Sequence, residues 1–389
     1  MTDMARATGN VSLANGRHRI ASGRRGTGRS PGSMAAPGRL VRALVTIMLA
    51  ALATAVGPAS PAAADPITCS GADVPFTVAG QPVTMHGTLC RPNDPTDTVV
   101  MLLHGGTYNH VYWDFPLDPQ HYSFRRGLNL AGLATFVVDR LGTGLSSRPP
   151  STDVTAQAAL AGFHVALQML RAGGIGGTAF PKVVLGGHSF GSFLAVGEVA
   201  TYPGDADAVL LTGFSHNVSP EGVGRVLAAF YPAAQDPAFA QAQPPYDDGY
   251  VTTMPGTRYD LFYAPATADP AVVALDEATK DVLSLTESDT SSAYLDPAVS
   301  QSIQVPVLIL NGEFDTLFVC PNGPPCTAGE YLSQESQFFS PQACLRTYVL
   351  RDAGHSLNLF PNAHKARSAA AEWIEEFVVN RPPGSTTCP

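Results

Sequence analysis

The chain has no apolar run long enough to cross a bilayer: Ala43 to Val56 is fourteen residues, and no later run suffices. Charge is also scarce. Only 14% of residues are charged against 45% hydrophobic, the balance of a packed globular chain and not of a disordered one. Basic residues are the scarcer kind. Residues 1–64, read below as a leader, hold eight of the 23 basic side chains and one of the 32 acidic ones; setting them aside leaves 15 against 31, net −16. That balance excludes nucleic acid and other polyanions as partners. No paired C-x-x-C occurs and no histidines cluster with the cysteines, so zinc has no ligand pattern. The motifs require neither metal nor cofactor.

What is present begins with an export signal. Arg39 and Arg42 precede the apolar run, Gly57-Pro58 breaks it, and Ala62-Ala63-Ala64 offers a small-residue cleavage site before Asp65. This pattern predicts a secretory signal peptide cleaved after Ala64 and a secreted, extracellular protein. Residues 1–33 lack hydrophobic periodicity, and a start at Met34 would give a leader of ordinary length, so Met34 is an alternative to Met1. Arg24-Arg25 lies too far from the apolar run to act as a twin-arginine signal. All six cysteines, Cys69, Cys90, Cys320, Cys326, Cys344 and Cys388, follow Ala64, as an oxidising compartment requires. Six cysteines allow 15 pairings. Proximity in sequence selects Cys69 with Cys90, Cys320 with Cys326, and Cys344 with Cys388.

Val74 to Val78 and Val83 to Leu89 predict an opening antiparallel pair with Gly80-Gln81-Pro82 as its turn. The continuous apolar run Thr98 to Leu103 then predicts a strand buried on both faces. Helix-like stretches at 120–131 and 153–171 alternate with strands at 134–138, 181–185 and 208–212. That alternation predicts an α/β fold, a mostly parallel, doubly wound sheet. It stops after Gly213. Residues 214–304, rich in Pro, Ala, Asp and Tyr, are too long for a bare loop and read as a mostly helical cap, with helices near 221–230 and 270–285. Alternation resumes with a strand at 305–310, a helix at 328–339, a strand at 346–350 and a last helix at 363–380. The layout is therefore a leader, 1–64, a sheet domain whose first part is 65–213 and second part 305–389, and a cap, 214–304, inserted between the parts.

The chemistry centres on Gly187-His188-Ser189-Phe190-Gly191, which joins the strand ending at Leu185–Gly186 to a helix-like stretch. A strand that turns at once into a helix forces the central serine into a strained backbone, and side chains two residues on either side would collide. Ser189 is the candidate nucleophile. The strand Val307 to Leu310 leads to Asn311-Gly-Glu313-Phe-Asp315, and the strand Thr347 to Leu350 leads to Arg351-Asp-Ala-Gly-His355. Ligands of such sheets collect at the carboxyl ends of the strands, so an acid and a base are expected on the rim that carries Ser189. A serine hydroxyl needs a base to take its proton, and imidazole titrates where this is useful. His355 is the candidate base. Asp315, preferred over Glu313, is the acid that orients it; the strand ending at Thr212 is followed by Gly-Phe-Ser and supplies none. An oxyanion hole should take one N–H from Phe190 and the other from the His104-Gly105-Gly106-Thr107 loop, at Gly106 first and Thr107 second, with His104 bracing the loop. The aromatic residues Tyr108, Trp113 and Phe214 flank these loops and are candidates to contact an apolar substrate.

With its G-x-S-x-G elbow, its His104-Gly105 pair, its order Ser189, Asp315, His355 and its Asp139-Arg140-x-Gly142-x-Gly144-x-Ser146 segment, the chain resembles the α/β-hydrolase family over about residues 96–380. The resemblance implies a serine hydrolase that forms an acyl-enzyme on Ser189. Carboxylester cleavage of a small molecule is the commonest activity there, and export favours a scavenging esterase or lipase. A serine at the elbow argues against branches that use aspartate. Lactonases, C–C bond hydrolases and peptidases share the same three residues, and some members only bind.

Overall fold

The computed structural model describes residues 66–263, 267–382 and 388. Residues 1–64, read above as a leader with its cleavage site, lie outside the described residues.

Eight strands form one sheet. They are β1 (Ile67–Val78), β2 (Gln81–Pro92), β3 (Thr98–Leu103), β4 (Ala134–Val138), β5 (Lys182–His188), β6 (Ala208–Thr212), β10 (Val307–Gly312) and β11 (Arg346–Leu350), and three short strands, β7 (Phe230–Pro232), β8 (Tyr250–Thr253) and β9 (Leu283–Ser284), fall between β6 and β10. The spatial order is β1-β2-β4-β3-β5-β6-β10-β11, with β2 antiparallel to both neighbours and the rest parallel. Every residue of β3, β4 and β6 is buried, as two covered faces demand.

The opening hairpin is longer than the apolar runs suggest. Its turn is Ala79-Gly80, both residues with positive φ, +48° and +77°, the two-residue geometry that matches strand twist. Gln81 and Pro82 therefore already pair, opposite Val78 and Thr77. Cys69 faces Cys90 directly and is joined to it, and Cys320–Cys326 and Cys344–Cys388 are the other two disulfides.

The helix Ala156–Ala172 shows why these segments become helical. Thr155 caps it by accepting from Ala158 N, Gly173 ends it at φ +78°, and Leu160, Phe163, Leu167 and Leu170 bury one face. The last helix is shorter than the apolar pattern suggests: it runs Ala363–Ile374 and widens into a π-turn at Glu375–Val379.

Among the described residues the insertion between β6 and β10 is α-helical in five places, Pro220–Ala228, Arg258–Phe262, Pro270–Ala278, Leu285–Ser291 and Pro297–Gln301, and it also carries the antiparallel sheet β7-β8-β9. The stretch 270–285 is thus not one helix. Lys280 stops it, because its buried ammonium donates to Thr253 O at 2.8 Å and pairs with Asp236 at 2.8 Å, and Leu283 then joins β8. Among the described residues no helix is long and apolar enough to cross a membrane.

Candidate active site

Ser189 follows β5 at φ +52°, ψ −120°, and the helix Phe190–Thr201 starts at the next residue. An L residue held there costs roughly 1–3 kcal/mol. The turn is held by Ser189 N donating to Thr212 O at 2.8 Å. A Cβ on Gly191 would stand 2.5 Å from Leu103 O and 2.6 Å from His104 O, so backbone on backbone admits only glycine.

Asp315 and His355 come from the loops after β10 and β11. His355 Nδ1 lies 2.9 Å from Asp315 Oδ2, and both side chains are buried. Asp315 Oδ1 accepts from Leu317 N at 2.8 Å and Phe318 N at 3.1 Å. A carboxylate fixed by two N–H groups is an acceptor toward the ring as well, so His355 carries its proton on Nδ1 and a lone pair on Nε2. Nε2 is buried and has no hydrogen-bond partner among the described residues. The His355 ring centroid sits 4.9 Å from that of His188, the neighbour of Ser189, and between 5 and 6 Å from those of Phe318 and Phe262. Glu313 turns away, accepting from Asp352 N at 2.9 Å.

The loop after β3 lies against the elbow. A Cβ on Gly105 would be 3.2 Å from Ser189 Cβ, and one on Gly106 would be 3.8 Å from Phe190 Cβ. His104 Nε2 accepts from Arg140 N at 3.1 Å, which leaves Nδ1 to donate to Gly105 O at 2.9 Å. Burial, with the Arg140 charge beside it, pushes His104 down to about 3, so it stays neutral and braces the loop. Gly105 O also accepts from Arg140 Nη2 at 3.3 Å. In a trans peptide the next N–H, on Gly106, points the opposite way. Phe190 N–H is the first of its helix and has no partner within that helix.

The family model of the alpha/beta hydrolase family matches residues 100–367. The chain belongs to the alpha/beta hydrolase family. By structure this hydrolase is similar to a thermophilic esterase from Thermogutta terrifontis, with TM-score 0.53 and 18% identity over 79% of this chain and 99% of that one. It is also similar to a soluble variant of monoglyceride lipase from Saccharomyces cerevisiae, with TM-score 0.54 and 14% identity over 78% and 94%. A third likeness is to the alpha/beta hydrolase GrgF from Penicillium sp. sh18, with TM-score 0.52 and 16% identity over 80% and 99%. No curated protein sequence matches the chain.

The three candidate substrate aromatics of this alpha/beta hydrolase are all buried. Tyr108 bonds Ser356 Oγ at 2.6 Å and meets the edge of His188. Trp113 packs edge-on against Tyr112 and Phe124, and Phe214 against Phe193 and His216. His188, stacked on Tyr112 at 4.1 Å, is held well below the ordinary histidine pKa by burial and by His355.

Four charged residues of the insertion reach the site, and sequence reading did not find them. Arg258 is fully buried. It forks onto Asp276 at 2.9 and 3.1 Å and donates through Nη1 to Thr107 O at 3.2 Å and Thr107 Oγ1 at 3.1 Å. Burial alone would lower its pKa, but the Asp276 charge raises it above the ordinary value. Asp281 N donates to the same Thr107 carbonyl at 3.0 Å, and its carboxylate accepts from Asn109 Nδ2 and Gly144 N. Thr107 needs such holding, since a β-branched residue at φ +59° is strained. Glu287 pairs with Arg140, whose guanidinium stacks 4.8 Å over the Phe190 ring. No spacing or periodicity singles these four out from the other charged residues of the insertion. A cavity of about 900 Å³ between Thr98, Leu133 and Glu372 opens at the amino ends of the strands, away from Ser189, and none of the candidate residues lines it.

Proposed function

We propose that the protein is a secreted serine hydrolase that cleaves carboxylic esters of small, apolar molecules through an acyl-enzyme on Ser189. The contact of His355 Nδ1 with Asp315 Oδ2 at 2.9 Å, beside an elbow serine, carries the reading. His355 Nε2 takes the Ser189 proton as Oγ attacks the ester carbonyl, and returns it to the departing alcohol. Asp315 stabilises the imidazolium. The oxyanion meets the N–H groups of Phe190 and Gly106, each worth about 3 kcal/mol to the transition state. Gly106 is favoured over Thr107 because its peptide is turned by two donors on the Gly105 carbonyl. The rings of Phe262 and Phe318 beside His355 support an apolar group next to the reacting bond. Three disulfides are compatible with an oxidising compartment and support export.

The test is hydrolysis of p-nitrophenyl esters of increasing acyl length, with Ser189→Ala as the blank. Turnover should fall by roughly 10³-fold or more in the variant. The acyl length giving the highest rate sizes the pocket. No turnover above the blank on any ester would refute the esterase reading.

A further inference from the structure

At the far end of the elbow helix, three side chains without a part in the chemistry above come together. His164 projects from the helix Ala156–Ala172, Glu198 from the last turn of the elbow helix and Asp205 from the turn leading into β6. One ligand atom of each lies within 4.8 Å of the others. Glu198 is fully buried, and among the described residues no N–H donates to either of its carboxylate oxygens, whose close neighbour is the Asp205 carboxylate. Asp205 is buried too. Its Oδ1 accepts from Gln168 Nε2 at 2.7 Å, its Oδ2 lies 2.6 Å from His164 Nδ1, and its carbonyl accepts from Arg171 Nε at 3.1 Å.

Two carboxylates cannot both stay ionised in such a place without a counter-charge. Arg171 does not provide it, since its charged fork goes to Asp207 at 2.9 Å and to Pro181 O at 2.8 Å. Gln168 is neutral, and His164 can balance one carboxylate at most. Two solutions remain: Glu198 keeps a proton, or a cation binds all three groups. A proton neutralises the charge but leaves most of the lone pairs of a buried carboxyl unused, whereas a cation engages them.

We propose that His164, Glu198 and Asp205 bind a divalent cation of the Zn²⁺ or Mn²⁺ type, which fastens the elbow helix to its neighbour helix and to the start of β6. One imidazole and two carboxylates without thiolate suit these ions, whereas Ca²⁺ takes six to eight oxygens. The outer partners are built as metal sites need. Gln168 orients Asp205, and Tyr202 stacks on the His164 ring at 4.1 Å and 19°. His164 is half-buried, which gives the ion a path from solvent. Ligand atoms on a tetrahedral ion stand about 3.3 Å apart, so His164 Nδ1 must move back from Asp205 Oδ2, now 2.6 Å away, while the wider spacings, none above 4.8 Å, close onto the ion.

The test uses the full protein dialysed against EDTA and titrated with ZnCl₂, MnCl₂ and, as the size control, CaCl₂, followed by calorimetry and thermal unfolding. ZnCl₂ or MnCl₂ should bind at one ion per chain and raise Tm by roughly 3–6 °C at a hundredfold excess over Kd. Glu198→Gln keeps the shape of the protonated carboxyl and should weaken that binding at least tenfold and abolish the Tm rise. His164→Ala, altered at a half-buried position, should do the same and serves if Glu198→Gln does not fold. No saturable binding of either ion overturns the proposal. So does binding that both variants leave intact, which places the ion elsewhere, or binding of CaCl₂ alone.

Discussion

Replacing Arg258 tests whether the insertion holds the oxyanion loop. Arg258→Met leaves Asp276 buried without its partner, and breaking a buried pair from one side costs about 3–5 kcal/mol. Arg258→Met with Asp276→Leu removes both charges; such exchanges are near neutral, so the stability should return to within about 1 kcal/mol of wild type. The function should not return with it. In both variants Thr107 loses two contacts from Nη1 and keeps only Asp281 N on its carbonyl, while its φ of +59° favours relaxation. Gly106 precedes it, so a relaxed Thr107 displaces the proposed oxyanion donor, a change worth about 10²-fold in kcat. Urea unfolding measures the first effect and p-nitrophenyl ester turnover the second, with KM expected to change little. A double variant with wild-type kcat refutes the claim that Arg258 positions the loop. One as unstable as Arg258→Met refutes the account of the buried pair.

Gly213 has φ +57°, and a Cβ there would stand 2.9 Å from His355 Cε1. Gly213→Ala should cost about 1–2 kcal/mol from the backbone alone and lower turnover at least tenfold by displacing the ring; unchanged turnover would refute the contact. Burial raises the Asp281 carboxyl from 3.8 to about 6, with hydrogen bonds from Asn109, Gly144 and Val282 opposing and the Asp139 charge adding. The folded chain thus holds this proton more tightly than the unfolded one. Its contribution, about 3 kcal/mol, is complete below pH 3.8 and is lost as pH rises through about 6. Urea unfolding of wild type and Asp281→Asn at pH 4 and 7.5 should show the smaller pH dependence in the variant, and equal dependence would refute the assignment.

The parts of the site that were legible in the sequence are those written locally. The elbow is one strand and one turn, and Gly187 answers a clash with the Gly191 backbone four residues on, whereas Gly191 answers the distant Leu103 and His104 carbonyls. Asp315 and His355 stand out in the sequence because each follows an apolar strand, and parallel strands deliver their ends to one rim. The sequence prefers Asp315 to Glu313; in the structure Asp315 Oδ2 stands 2.9 Å from His355 Nδ1, whereas Glu313 accepts from Asp352 N. The insertion was opaque for the opposite reason. Arg258 meets Thr107 across 151 positions and Glu287 meets Arg140 across 147, pairings that no periodicity announces. Helix propensity overran Ala278 because the partners of Lys280, Thr253 and Asp236, are distant in sequence. Trp113 and Phe214 show the limit of aromatic clustering, which marks cores more often than binding surfaces.

The hairpin β1-β2 fixes the alignment of the sheet's outer rim. Among the described residues β1 is an outer strand whose neighbour in the sheet is β2, and an outer strand is where a second chain can add. Register is what keeps that edge harmless: a slip of one residue would turn Val74 and Val78 from the interior to the water. Cys69 and Cys90 stand opposite one another only in the correct register; a one-place slip sets Cys69 against Leu89 or Arg91. The covalent bond therefore acts as a proofreader at the rim of the sheet, closing when the alignment is right and thereafter forbidding every other one. A reducing environment removes the proofreader, and it does so at the strand from which self-association would start.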